Sequence, residues 1–374
     1  MLPRSSLISL LPAVLLACVP EAKVADDSGM PAGADTGTTA AGQTHAVVAT
    51  SYEGVGALAV VDLDTLEVRD ELASISSDAL VVVEDERVFQ INRSDFDSVR
   101  VYAPGAFTAP ETELGLPAGS NTWDVEVCSR QLFVAAYETS ALAVHDLETG
   151  VLSGTVDLST FDDGDGYPEV AALVELDGKL YVALQQLARD AGWVPDGGTI
   201  AEVDCASMTV ERSWAVGPNP TISAWPGRDD TLLVRTGGYG LADGGISTLD
   251  VAAGLQSEVH IEESDLGIDL THVVLSGDGS SGLVLSSSLD WPATYGVWCL
   301  DPADWSLTPI ETTATYLSDL AVDDRDRAWV SFQAPSWGAA DAEPGAGLYD
   351  LSTCTRARAE LVPFVLDPGR VAFY

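Results

Sequence analysis

Leu58-Ala-Val-Val-Asp62 is the first of a family of short stretches in this chain. It is followed by Leu142-Ala-Val-His-Asp146, Ile200-Ala-Glu-Val-Asp204, Ile246-Ser-Thr-Leu-Asp250, Val297-Trp-Cys-Leu-Asp301 and Ala346-Gly-Leu-Tyr-Asp350. Val99-Arg-Val-Tyr-Ala103 is a further copy with Ala in the place of Asp. Each is an apolar run ended by a turn-forming acid, and the copies recur at roughly 40–50 residues, the self-similarity of propellers and solenoids. The spacing fixes a shape before it says anything about a ligand.

Around each copy the chain decomposes into four short strands. Ala46–Thr50, Arg87–Ile91, Gln131–Ala135, Lys179–Ala183, Thr231–Arg235, Gly282–Ser286 and Arg327–Ser331 read as second strands. They are rich in β-branched and aromatic residues and are preceded by Asp- and Gly-containing turns. Six first strands precede them, at Ala79–Val83, Trp123–Val127, Val170–Leu176, Thr221–Trp225, His272–Leu275 and Asp319–Val322. The first repeat lacks one, and Pro368–Tyr374 at the far end supplies it. The expected fold is therefore all-β. It is a seven-bladed β-propeller of four-stranded blades over 45–374, closed by the C-terminal strand joining the N-terminal blade, which removes open sheet edges.

The segment before the repeats reads as an export signal. Arg4 is followed by the apolar run Leu7–Ala17, the length of a signal core and too short to span a bilayer. Leu15-Leu16-Ala17-Cys18 resembles a bacterial lipobox, and that resemblance implies cleavage after residue 17 and acylation of Cys18. Residues 18–44 then form a tether whose Gly, Ala, Thr, Asp and Pro cannot bury enough surface to order it. The expected location is the bacterial cell envelope, with the anchor in the outer membrane, since Val19 is not the Asp that marks inner-membrane retention in some bacteria.

The formal charge is -41, with Lys23 and Lys179 the only lysines. That excludes nucleic acid and anionic membrane surfaces as partners. It leaves a solvating acidic surface or an affinity for cations. Four cysteines follow Cys18, an even number that in an exported chain suggests two disulfides among three pairings. Their blade positions favour Cys128–Cys205 and Cys299–Cys354, each joining adjacent blades at the short-turn face.

The repeats resemble YVTN-type propellers, with Lys179-Leu-Tyr-Val-Ala and the Val-Asp strands carrying the likeness across 45–374. Asp157-Leu-Ser-Thr-Phe-Asp-Asp-Gly-Asp-Gly-Tyr-Pro-Glu169, Leu184-Gln-Gln-Leu-Ala-Arg and Gly192-Trp193 look like uncharacterised propeller lipoproteins of myxobacteria. The resemblance implies fold and export. It implies a binding or scaffold role and brings no established activity.

In a propeller the second-to-third and fourth-to-first loops share one face. Those loops are the long ones here: Gln186–Gly198, Gly237–Gly245, Ser286–Gly296 and Gln333–Gly347. They carry Trp193, Tyr239, Trp291, Tyr295 and Trp337, which with Trp123 near the channel form the candidate ligand-binding set. Exposed aromatics gathered on one face mark recognition, and the competing expectation is that each folds back onto its own blade. Aligned first strands put Ala79, Trp123, Ala171, Ser223, His272, Asp319 and Arg370 at one level of the axis. His272, Asp319 and Arg370 are the only catalytic candidates, able to hold an anionic or polar small ligand. A structural Asp319–Arg370 pair is the alternative. The loop holding Asp162, Asp163, Asp165 and Glu169 is the candidate calcium site, against a Gly-rich turn whose acids cap backbone amides.

Two functions are open at this point. One is a monomeric, lipid-anchored module that binds an envelope protein, glycan or small ligand. The other is a propeller enzyme, a hydrolase or lyase working at the channel mouth. No GxSxG, HExxH or phosphate loop is present.

Overall fold

The computed structural model describes residues 42–93, 96–189, 192–195, 197–333 and 344–374. The expected signal segment with Cys18, and Trp337, lie outside the described residues.

The apolar runs pair into antiparallel sheets that follow one another around an axis. Blade 2 is Ala79–Glu84, Arg87–Asn92, Ser98–Tyr102 and Thr112–Gly115, and blade 3 is Thr122–Cys128, Gln131–Ala136, Ala141–Asp146 and Leu152–Asp157. Blade 4 is Val170–Leu176, Lys179–Leu184, Gly198–Asp204 and Thr209–Val216. Blade 6 is Ile268–Leu275, Gly282–Ser288, Tyr295–Asp301 and Ser306–Thr313. Blades 5 and 7 begin at Thr221–Ala224 and Tyr316–Val322, and their outer strands are split into two short pieces. Blade 1 has His45–Tyr52, Val55–Asp62 and Val68–Ile75, and its inner strand is Asp367–Phe373. That closing strand is pinned by mutual backbone bonds of His45 and Tyr374, the two at 2.9 and 3.0 Å.

The core is divided among the seven blade interfaces, each with its own apolar cluster. Alternation along a strand explains this. Ala46 and Val48 pack toward blade 7, whereas Val47 and Ala49 pack toward blade 2. With both sheet faces covered, the second and third strands need apolar residues at nearly every position. The outer strands face solvent and do not; Thr209–Val216 and Ser306–Thr313 are largely exposed.

The repeated Asp has a local task. Asp62 Oδ1 accepts the amides of Asp64 and Thr65 at 3.0 and 2.8 Å, and Asp146 Oδ1 accepts that of Thr149 at 2.8 Å. Asp204, Asp250, Asp301 and Asp350 do the same for Ser207, Ala253, Ala303 and Thr353. Each closes the turn from third to fourth strand as an Asx turn. Asp62 is held below the usual carboxylate range first by the Thr65 amide, Asp146 by the Thr149 hydroxyl and then its amide, Asp204 by Lys179 and then Ser207, and Asp350 by the Ser352 hydroxyl and then the Thr353 amide.

Both expected disulfides are present. Cys128–Cys205 joins blades 3 and 4 and Cys299–Cys354 joins blades 6 and 7, with Cα separations of 6.0 and 5.6 Å. All four cysteines lie at the short-turn face. The N-terminal lead-in arrives there too: Gln43 N donates to Asp324 Oδ2 at 2.6 Å, and Asp324 N donates to Gln43 Oε1 at 2.8 Å.

Candidate functional site

The inner strands of blades 3, 4, 6 and 7 each carry a register shift near the long-loop end, at Thr122/Asp124, Val170/Ala172, Leu270/His272 and Leu317/Asp319. A bulge places two residues opposite one and re-aims the next side chain. Asp124 and Ala172, rather than Trp123 and Ala171, therefore share the level of His272 and Asp319. The expected alignment was one residue early in blades 3 and 4.

His272, Asp319 and Arg370 do come together at the axis, at 4%, 1% and 2% exposure. The alternative Asp319–Arg370 ion pair does not form. Asp319 Oδ2 instead accepts the Val371 amide of the next inner strand at 2.8 Å, while its Oδ1 has no partner. Asp124 Oδ2 repeats the contact between blades 3 and 4, accepting Leu173 N at 2.9 Å. An inner strand leaves one edge unpaired toward the axis, and these carboxylates satisfy amides on that edge.

Burial raises Asp124 and Asp319 to about 6, with Arg370 acting through space in the opposite sense. Glu126 is pushed well above the carboxylate range by burial and then by Glu84, Asp124 and Glu175. Burial, then the charges of Arg235 and Arg370, lower His272 to about 3. A histidine held neutral so firmly is a poor general base at neutral pH. Space is also short. The cavity beside Glu84 and Arg370 holds about 30 Å³ and the one between blades 5 and 6 about 10 Å³, against roughly 300–1,000 Å³ for small-molecule sites. A larger cavity, about 260 Å³, lies between blades 2 and 3, lined by Arg87, Glu111, Asp146 and Glu148.

The long-loop face differs in kind. Exposed large apolar side chains gather on it: Tyr52 and Val55 of blade 1, Phe96 of blade 2, Trp193 of blade 4, Tyr239 and Leu241 of blade 5, and Leu289 and Trp291 of blade 6. Leu266 and Val365 add to it from the links between blades. Trp291 is 77% exposed. Two expected members are not surface residues. Trp123 packs against Tyr137, with the Arg93 guanidinium 3.6 Å above its ring. Tyr295 begins a strand rather than ending a loop, and packs edge-on against Tyr316 at 5.3 Å.

Blade 4 supplies the polar part of this face. Arg189 Nε donates to Glu169 Oε1 at 2.7 Å, and Arg189 also pairs with Glu138 and with Asp165 at 3.3 Å. Its guanidinium lies over Tyr167 and Trp193, 4.6 and 4.8 Å from their centroids. Glu169 is thus turned inward, raised to about 7 by burial against the pull of Arg189, and is not a member of the acidic loop's cation set. Asp162, Asp163 and Asp165 do cluster, with oxygens within 4.8 Å of one another. Asp162 Oδ1 already accepts Gly164 N and Gly166 N, both at 2.8 Å, and Asp165 Oδ1 accepts Tyr167 N at 2.9 Å. Three carboxylates, two of them so engaged, fit calcium's six to eight oxygens poorly.

Sequence reading missed Arg189, Asp124 and Arg235. Arg189 had one signal, its place in the Leu184–Arg189 stretch beside Gly192-Trp193.

No family model matches the chain, and no curated protein does. Solved structures do match. A Lactobacillus plantarum protein superimposes with a TM-score of 0.64 at 15% identity, over 89% of this chain and 99% of that one. A candidate 6-phosphogluconolactonase of Bacteroides fragilis gives 0.63 at 12% identity, over 90% and 99%. Hydrazine synthase of Kuenenia stuttgartiensis gives 0.56 at 15% identity, over 73% and 76%. At these identities the similarity shows the fold: the chain is a seven-bladed β-propeller.

Proposed function

We propose that this is an exported, lipid-anchored propeller of YVTN type, like the propeller lipoproteins of myxobacteria that it resembles. It acts as a binding or scaffold module through its long-loop face. The observation that carries the reading is the gathering of exposed apolar side chains on that face, from Tyr52 around to Trp291. The position of the tether supports it. Gln43 is held beside Asp324 at the short-turn face, so the tether joins the domain at the end opposite the long loops. The partner is an envelope protein, a glycan or a small ligand, engaged by a monomer at the outer membrane. Asp162, Asp163 and the ring of Trp193 make the blade 4 sector acidic and aromatic, suited to neutral or cationic groups.

The enzyme reading is weaker. The neighbours named for a phosphogluconolactonase imply an anionic sugar substrate, whereas Arg189 is enclosed by Glu138, Asp165 and Glu169. The axial groups lie in cavities too small for a sugar.

Photo-cross-linking in intact cells tests the reading. A photoreactive residue at Tyr239 or Trp291 of the full chain is expected to give discrete adducts, and one at the short-turn residue Asp229 is expected to give none. Adducts from Asp229 alone would reverse the assignment of faces.

A further inference from the structure

The axis keeps buried hydrogen-bond donors that lack full partners. Arg235, on the second strand of blade 5, is 3% exposed. Its Nε donates to Thr221 Oγ1 and its Nη1 to Leu270 O, both at 3.1 Å, and its Nη2 has no partner. His272, on the inner strand of blade 6, is in the same position: its Nδ1 lies 3.2 Å from Thr271 Oγ1 and its buried Nε2 has no partner. Arg370 closes the group from blade 1, with an unpartnered Nη1, and its charge reaches His272.

Arg235 and His272 line one cavity between blades 5 and 6, together with Thr221, Ser223 and Thr271. Buried polar atoms are rarely left unbonded, and an unpartnered guanidinium hydrogen is among the costlier to leave so. The nearby carboxylates are otherwise engaged. Asp269 accepts Gly240 N at 2.7 Å, and Glu263 accepts Gly244 N and Leu270 N, both at 2.9 Å. When the Thr271 hydroxyl donates to Nδ1, Nε2 carries the hydrogen, and the cavity then faces two donors and a cation. Its volume of about 10 Å³ is at the lower limit for a single water-sized particle, so nothing larger than a monatomic anion enters it.

We infer that this cavity is a binding site for a single small anion of halide size, held by Arg235 Nη2 and His272 Nε2, with Arg370 as the second cation across the axis. The site is independent of whatever the long-loop face binds. It makes the anion a ligand of the junction where the inner strands of blades 5 and 6 meet.

The test replaces sodium gluconate stepwise by sodium chloride or bromide at constant ionic strength, with the melting of the full chain followed throughout. A saturable rise in melting temperature is expected. Loss of one charge-assisted hydrogen bond in Arg235→Gln or His272→Asn should move its midpoint about tenfold or more. Crystals of the unaltered protein grown in bromide provide a readout that needs no variant. An anomalous peak within hydrogen-bond distance of both side chains is expected. A water at that position, or a melting temperature indifferent to the identity of the anion, would overturn the inference.

Discussion

The two ends of the propeller use the same side-chain types for opposite purposes. At the short-turn face, Asp62 and Asp146 are half-buried and are held below their ordinary pKa by turn hydrogen bonds, Asp62 first by the Thr65 amide and Asp146 first by the Thr149 hydroxyl. Toward the axis and the long loops, Asp124 and Asp319 are buried, accept one interblade amide each and are raised to about 6. Disulfides, Asx turns and the lead-in at Gln43 gather at the first end. Exposed aromatics and incompletely partnered charges gather at the second. The contrast teaches that an acidic residue in this chain carries meaning only through its place in the blade.

The largest expected effect belongs to the disulfides. Cys128–Cys205 and Cys299–Cys354 close stretches of 77 and 55 residues. By chain entropy each is worth about 4–5 kcal/mol, a model-dependent figure. Replacing either pair by Ser should lower the denaturation midpoint sharply while the folded protein keeps its long-loop cross-links. Loss of the cross-links in a still-folded variant would show that the two ends are not separable.

Titration comes next, and the two sets of acids act in opposite directions. The raised Asp124 and Asp319 bind protons in the folded state first. Stability from them is therefore greatest below about pH 4 and declines as pH rises through about 6. The shift corresponds to roughly 3 kcal/mol for each, and relief of the repulsion among 58 acidic residues adds in the same direction. The depressed turn acids contribute above about pH 4 and lose that contribution as pH falls below it. His272, lowered to about 3, opposes the raised acids as pH falls below about 6.5; with that offset stability should still peak on the acid side of neutrality, at about pH 4–6, as denaturant titrations across pH would reveal. In Asp124→Asn/Asp319→Asn the decline toward pH 7 should flatten. An unchanged profile would mean that the axial carboxylates are better solvated than their burial implies.

Smaller still is the expected effect of calcium. With Glu169 paired to Arg189 and Asp162 capping two amides, calorimetric titration of the full chain should give no saturable heat at micromolar calcium. A saturable heat that disappears in Asp163→Ala/Asp165→Ala would establish the loop as a metal site and shift attention to blade 4.

The fold was legible because its repeat is enforced locally. The Val-Asp strand ends each need a capped turn, as Asp62 and Asp146 show, and strands covered on both faces read as continuous apolar runs. The closing strand betrayed itself by the first strand that blade 1 lacked. The site was legible only in part. Five inner strands carry a one-residue register shift, and no hydrophobic period records a bulge, so Trp123 stood where Asp124 belongs. Buried ionisable residues have the same letters as surface ones; nothing in Thr231–Arg235 marked Arg235 as interior. Tyr295 was misplaced because a strand start and a loop end look alike without the pairing of Ser287 with Tyr295.

The most direct measurement crosses the two faces in one experiment: adduct yield from a photoreactive probe at Tyr239, read beside melting temperature, in three backgrounds. These are the unaltered chain, Trp193→Ala/Trp291→Ala and Asp146→Ala. The double variant is expected to lose the adduct at unchanged melting temperature, and Asp146→Ala to keep the adduct at a lowered one. An adduct that persists without the two tryptophans, or disappears with the turn aspartate, would contradict the long-loop face as the place where this protein meets its partner.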